Sequence, residues 1–176
     1  MPRLLLGHGA SGTAASMAPW VEALAATGIA AEALDLPRGR AERAVPVFRA
    51  AIAAVAPDPV VPGGHSFGGR VASLAAAAAL ADDEPLAAVV LLSYPLHRPG
   101  HPETWTARTA HWPALRCPVL VLSGEADPFA RPALLREAVA RLPAGTLVTY
   151  PQLGHGLLAV REDVVGRIAA FVRDLA

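Results

Sequence analysis

The chain reads as an α/β protein in three layers, a mostly parallel sheet of six strands with helices on both faces. Six short apolar runs, at residues 4–6, 31–34, 60–61, 88–92, 118–122 and 146–150, lack the polar alternation of a half-exposed strand. Stretches of helical composition separate most of them, at 17–27, 41–56, 67–81 and 132–142, and another follows at 162–175. Parallel strands need crossovers, and helical crossovers cover both faces of the sheet they connect.

Punctuation fits these boundaries. Gly28 follows the first helix, Pro132 opens the helix after the fifth strand, and Pro143 with Gly145 separates that helix from the last strand. The interval between the fourth and fifth strands differs: residues 94–113 hold four prolines and three histidines around a short helical piece near Trp105. This segment reads as an excursion over the sheet, too short for a full lid. With neither an internal repeat nor an interdomain linker, residues 1–176 are expected to form a single domain.

Composition narrows the function. The chain is 53% hydrophobic and 17% charged, enough apolar surface to offset chain entropy in an ordered globule. Fifteen basic residues balance fifteen acidic ones, which leaves no net field for a phosphate backbone or an anionic membrane, so nucleic acid is not an expected partner. All fifteen basic residues are arginine, which removes Schiff-base, Ser-Lys and lysine-dependent phosphate-loop chemistry. The single cysteine, Cys117, excludes an internal disulfide and a cysteine-rich zinc cluster, and reads as a small buried hydrophobe. No run approaches the roughly 20 apolar residues that span a bilayer. The N-terminal Arg3-Leu4-Leu5-Leu6 stops at Gly7, so the expected location is cytoplasmic.

The third apolar run leads into Gly63-Gly64-His65-Ser66-Phe67-Gly68-Gly69 and then into a good helix. Gly64, Ser66 and Gly68 match G-x-S-x-G, a strand-to-helix turn that exposes a serine and demands small neighbours. Unpaired amides and the positive helix end favour the negative charge of acyl transfer beside Ser66, the candidate nucleophile. A serine helix cap, a phosphate-cradling loop and an ordinary glycine turn are the competing readings. Missing lysine weakens the phosphate loop, and a cap does not explain glycines on both sides.

A serine hydroxyl needs a base, and histidine suits the task because its unperturbed pKa lies near neutrality. Of six histidines, His155 in Gly154-His155-Gly156 follows the last strand and precedes the final helix, and is the candidate base. His65 adjoins Ser66, but successive side chains on such a turn point apart, which leaves it to pack or hydrogen-bond beneath the turn. His8 reads as a loop-ordering residue. Asp127, in Ser123-Gly124-Glu125-Ala126-Asp127-Pro128-Phe129, follows the fifth strand and is the candidate carboxylate that fixes the histidine tautomer. Glu125 is its rival, and Asp127 could instead cap the helix that starts near Pro132.

The first strand ends in Gly7-His8-Gly9-Ala10-Ser11-Gly12, beside the serine turn if the first and third strands are neighbours. The backbone N–H groups of Ala10 and Phe67 are then candidate oxyanion donors, with a plain flexible turn as the alternative for residues 9–12. Tyr94, His97 and Arg98 follow the fourth strand. They line a substrate pocket or belong to a purely structural loop, with equal weight on each. His97 and His101 have helical metal-ligand spacing, but Pro99 and Gly100 break any helix between them, so no metal site is expected.

Four motifs, Leu-Gly-His-Gly-Ala, Gly-His-Ser-Phe-Gly-Gly, Gly-Glu-Ala-Asp-Pro-Phe and Gly-His-Gly, together resemble the α/β-hydrolase superfamily over nearly the whole chain. The order Ser66, Asp127, His155 is the one that fold uses. More narrowly, Gly-His-Ser-Phe-Gly-Gly-Arg-Val-Ala-Ser and Leu-Ser-Tyr-Pro-Leu-His-Arg-Pro-Gly look like a small bacterial dienelactone-hydrolase-like group related to a testis-expressed animal group. The resemblance implies a minimal, lidless hydrolase fold with strand order 2-1-3-4-5-6. Dienelactone hydrolase itself uses cysteine where this chain has Ser66, so lactone specificity does not transfer.

The expected function is hydrolysis of a small ester or related acyl substrate through an acyl-serine intermediate, with no cofactor required. The same residues would serve a peptidase or an acyltransferase, and a fold of this kind can also persist as a binding or scaffold protein without turnover. A truncated sheet could also expose an edge or an apolar face for homodimerisation.

Overall fold

Each apolar run becomes a strand of one sheet, and the computed structural model describes residues 1–175 of the chain. The strands are β1 (Arg3–Gly7), β2 (Ala31–Leu34), β3 (Val60–His65), β4 (Val89–Leu92), β5 (Val119–Gly124) and β6 (Gly145–Tyr150). Their order is β2-β1-β3-β4-β5-β6 and every pairing is parallel, as the resemblance implies. The connecting helices are α1 (Ala18–Ala26), α2 (Ala41–Val55), α3 (Phe67–Ala81), α4 (Trp105–Arg108), α5 (Pro132–Val139) and α6 (Arg161–Arg173).

Alternate residues along a strand point to opposite faces, and in the central strands β1, β4 and β5, covered on both faces, both sets are largely apolar. Leu4, Leu6, Val90, Leu92, Leu120 and Leu122 pack against Trp20 and Leu24 of α1 and Val164 and Ile168 of α6. Their strand neighbours point the other way. Leu5 meets Phe48 and Ile52 of α2 and Val71 and Ala75 of α3. Val89, Leu91, Val119 and Val121 meet Trp112, Leu115 and the α5 residue Leu135.

The alanine content has a use in α3. Its buried residues include Gly68, Gly69, Ala72, Ala75, Ala76 and Ala79. Short side chains let this helix lie close to the sheet, with α2 packed beside it on the same face.

Two boundaries differ from the sequence reading by more than two residues. Strand β3 runs four residues beyond 60–61, through Pro62, Gly63, Gly64 and His65. Proline and glycine are poor strand formers in isolation. Here they sit in the middle of the sheet, in register with β1 from Arg3↔Val60 to Gly7↔Gly64 and with β4 from Gly63↔Val90 to His65↔Leu92. Ladder pairing, with β1 for Pro62, with both neighbours for the two glycines and with β4 for His65, overrides the local preference. Helix α5 ends at Val139, so the expected helical residues 140–142 form a turn before Pro143.

The 94–113 excursion does contain a short helix at Trp105, but it does not stand free of the body. Tyr94, Leu96, Trp105, Trp112 and Leu115 are buried in the cluster that holds β4, β5 and α5, and the Tyr94 and Trp112 rings meet edge-on with centroids 4.9 Å apart. Cys117 is buried, and burial pushes its thiol pKa up to about 11. Among the described residues no helix is long and apolar enough to cross a membrane.

Candidate active site

The close packing of three glycines sets up the site. A Cβ on Gly68, in the first turn of α3, would fall inside the backbone of Gly7 at the end of β1, and a Cβ on Gly64 would collide with the Gly7 backbone as well. The turn between β3 and α3 is therefore pressed against β1. Ser66 occupies it with φ 52° and ψ −114°, a positive φ that an L residue avoids unless its surroundings impose it. The imposing contacts are visible: the Ser66 N–H donates to Leu92 O at the end of β4, 2.8 Å, and Arg70 N–H donates to Ser66 O, 3.0 Å.

Gly68→Ala should destabilise the protein by about 3 kcal/mol or more, because backbone cannot swing aside as a side-chain tip can. Gly156→Ala, whose new Cβ would meet nothing within 4 Å, should stay within about 0.5 kcal/mol of the parent. Urea denaturation midpoints of the two variants check both values.

The Ser66 side chain makes no cap bond to α3, which removes the serine-cap reading. Its hydroxyl instead donates to Nε2 of His155, 2.7 Å away. On the other side of that ring, Nδ1–H donates to Oδ2 of Asp127 at 2.8 Å. The Asp127 side chain is 0% exposed and that of His155 is 26% exposed, so the carboxylate is sealed off while the imidazole faces the solvent side.

Two loops must be held together for this chain of bonds to exist. A Cβ on Gly124 would collide with the Leu153 and Gly154 carbonyl groups, so the backbone leaving β5 lies directly against the loop that carries His155. Glu125 N–H donates to Tyr150 O, 2.9 Å, and Ala126 N–H donates to Leu153 O, 2.8 Å. Asp127 Oδ1 accepts the Phe129 N–H at 2.8 Å, which turns the carboxylate so that Oδ2 faces the ring. The rival acid Glu125 is directed elsewhere, accepting from Thr149 Oγ1 at 2.7 Å.

His65 supports the same loop. Its Nε2–H donates to the backbone carbonyl of His155, 3.0 Å, and burial is the main reason its pKa lies below the ordinary histidine value. The Phe129 and His65 rings flank the His155 ring at centroid distances of 4.6 and 5.1 Å. His8 orders its own loop: Nδ1–H donates to Gly9 O at 2.7 Å, and Nε2 accepts the Leu36 N–H at 3.0 Å.

Ser66 opens onto a cavity of about 580 Å³, within the range that holds a small organic ligand, and Ala10, Phe67 and Phe129 share its wall. The two backbone amides picked out as oxyanion donors thus belong to residues that border the same space as the hydroxyl.

The structure separates the three residues after β4. Arg98 lines this cavity, whereas Tyr94 and His97 do not. Tyr94 is fully buried, its hydroxyl donates to Arg108 O at 2.8 Å, and burial pushes its pKa up to about 12. His97 is 1% exposed, donates from Nδ1–H to Arg98 O at 2.9 Å, and accepts the Arg131 N–H on Nε2 at 3.0 Å. For these two the loop-structural reading replaces the pocket reading, because each has its polar atoms spent on holding backbone of the excursion or of the segment before α5.

Sequence reasoning missed Gly7 as the partner of the serine turn and missed Arg70 and Arg108 on the cavity wall. The spacing of Arg70, one helical turn after Ser66, was a usable signal. Arg108 carried none.

A parallel sheet in this order, turning at a serine into a helix with a histidine and an aspartate brought up by later loops, defines the α/β-hydrolase class. The family model described as an alpha/beta hydrolase domain matches residues 1–161, and the chain belongs to that family. Similar solved structures include a monoacylglycerol lipase from Paleococcus ferrophilus, with TM-score 0.81 and 16% identity over 100% of this chain and 96% of that one. Est1E from Butyrivibrio proteoclasticus with ferulic acid bound has TM-score 0.80 and 18% identity, covering 99% of this chain and 89% of that one. An esterase from Pyrobaculum calidifontis has TM-score 0.77 and 19% identity, covering 100% and 76%. At these identities the likeness is one of fold. No curated protein matches the chain.

Proposed function

We propose that the protein is a serine hydrolase that cleaves a small carboxylic ester or a related acyl substrate through an acyl-serine intermediate. The observation that carries this reading is the unbroken chain from Asp127 Oδ2 through both ring nitrogens of His155 to Ser66 Oγ, at 2.8 and 2.7 Å. Catalysis of acyl transfer needs that relay and an opening above the hydroxyl, and the cavity supplies the opening.

In this mechanism Ser66 Oγ attacks the acyl carbon while its proton passes to His155 Nε2. Asp127 holds the ring in the tautomer that leaves Nε2 free to accept, and stabilises the imidazolium once it forms. The Ala10 and Phe67 N–H groups bind the oxyanion of the tetrahedral intermediate, aided by the positive end of α3. Collapse breaks the bond to the leaving alcohol, which takes the proton from Nε2. Water then repeats the sequence on the acyl-serine, releasing the carboxylic acid and restoring the hydroxyl.

The names of the lipase and esterases of like fold agree with an ester as substrate. The Gly-His-Ser-Phe-Gly-Gly-Arg-Val-Ala-Ser segment supports placing the chain in the dienelactone-hydrolase-like group, with serine chemistry in place of cysteine. A fluorophosphonate probe tests the reading: the intact protein should be labelled once, with mass spectrometry placing the adduct on Ser66. A folded protein that resists the probe, or carries the label on another residue, overturns it.

A further inference from the structure

The wall of the cavity above Ser66 is strongly cationic. Arg40 reaches it from the segment before α2, Arg70 from the first turns of α3, and Arg98 and Arg108 from the excursion after β4. Glu42 is the single carboxylate among its lining residues, and it is taken by Arg70, 3.0 Å away. Among the described residues no carboxylate forms an ion pair with Arg40, Arg98 or Arg108.

This concentration is positional, since the chain as a whole is neutral, with fifteen basic and fifteen acidic residues. The arginines also sense one another. Arg108 is held below the ordinary arginine pKa by burial first, then by the charges of Arg70 and Arg98. Its guanidinium is fixed by a bond from Nη1 to Pro95 O at 2.8 Å. The Nε of Arg70 is buried without a partner. Like charges gathered in one concavity repel, and the field they focus there attracts an anion. A guanidinium fork matches a carboxylate or phosphate better than any neutral group. Three segments far apart in sequence thus deliver the same charge to the space in front of one hydroxyl.

We propose that the substrate is an acyl ester that carries a second, anionic group, a carboxylate or phosphate, which the arginines around the cavity bind while the ester lies at Ser66. This rests on the serine-hydrolase reading above. Phe67 and Phe129 supply apolar wall for the carbon chain between the two ends. Arg98 is exposed and belongs to no ion pair, so it can be changed with little risk to folding.

The test compares p-nitrophenyl hemiadipate with p-nitrophenyl hexanoate, which differ in one terminal carboxylate. The native protein should prefer the anionic ester in kcat/KM by about tenfold or more at low ionic strength. About 0.5 M NaCl should erase most of that preference. Arg98→Gln should cut the ratio of the two kcat/KM values by about fivefold, through KM. Competition by adipate and by inorganic phosphate against hexanoate turnover tells which anion is the better fit. Calorimetric titration of adipate into the native and Arg98→Gln proteins gives a readout free of turnover. Hexanoate turnover with no preference for hemiadipate overturns the anionic-substrate proposal and leaves the hydrolase reading standing. Adipate binding that weakens in Arg98→Gln, with neither ester cleaved, overturns the hydrolase reading and the ester substrate with it, and leaves the arginines as an anion site alone. If adipate does not bind and neither ester is cleaved, both fall.

Discussion

Ser66→Ala is expected to lower kcat for p-nitrophenyl butyrate by a factor on the order of 10⁵ to 10⁶, the size seen when the nucleophile of a serine-histidine-aspartate unit is removed. The substitution removes a single oxygen. Alanine keeps the Cβ, so the strained φ of 52° costs it no more than it costs serine. Helix α3 is unharmed at its start, because the hydroxyl makes no cap bond there. Only the 2.7 Å bond to His155 disappears, and a bond at this partly open position is worth about 1 kcal/mol. Activity and stability are therefore expected to part company, with turnover abolished and the denaturation midpoint nearly unchanged. Burst kinetics on the native protein and steady-state rates on the variant measure the effect. A variant that keeps a tenth or more of native kcat would remove Ser66 from the chemistry.

Much of this arrangement could be read from the residues, for identifiable reasons. Strands buried on both faces carry uninterrupted apolar runs, so the class of fold shows through composition alone, and the strand order followed from the resemblance. Ser66, Asp127 and His155 stood out because each follows a strand and sits among glycines or beside proline, and the structure brings their side chains within hydrogen-bond distance. Local signals failed where long-range pairing decides. Pro62, Gly63 and Gly64 look like the end of a strand, yet β1 pairs with all three and β4 pairs with the two glycines, which keeps them in it. Gly7 looks like the start of a loop, and only the approach of α3 gives it a steric role. Tyr94 and His97 looked available because polar side chains after a strand often face a cleft. Their burial follows from how the excursion folds back, which no periodicity encodes. The clustering of Arg40, Arg70, Arg98 and Arg108 was invisible for the same reason: the chain is balanced in charge, and only the crossovers decide which charges meet.

Asp127→Asn should reduce kcat by a factor on the order of 10⁴, and the neighbouring hydrogen bonds say why the loss is so large for a near-isosteric change. The carboxylate has two jobs: Oδ1 accepts the Phe129 N–H at 2.8 Å and Oδ2 accepts Nδ1–H of His155 at 2.8 Å. An amide has only one oxygen. If that oxygen stays with Phe129, the NH₂ group faces His155 and the ring must accept on Nδ1, which places its proton on Nε2. A protonated Nε2 cannot take the proton of Ser66, so the relay is broken with every atom nearly in place. If the amide flips, Phe129 N–H loses its acceptor in a partly buried site, and the turn that positions the residue loosens. Either way the imidazolium loses its buried counter-charge. Glu125→Gln is the matched control, since Glu125 bonds to Thr149 and not to His155, and its kcat should stay within about twofold of native. Rates of fluorophosphonate labelling and of ester turnover for both variants decide the matter. A severe loss in Glu125→Gln beside a mild one in Asp127→Asn would transfer the orienting role to the other acid.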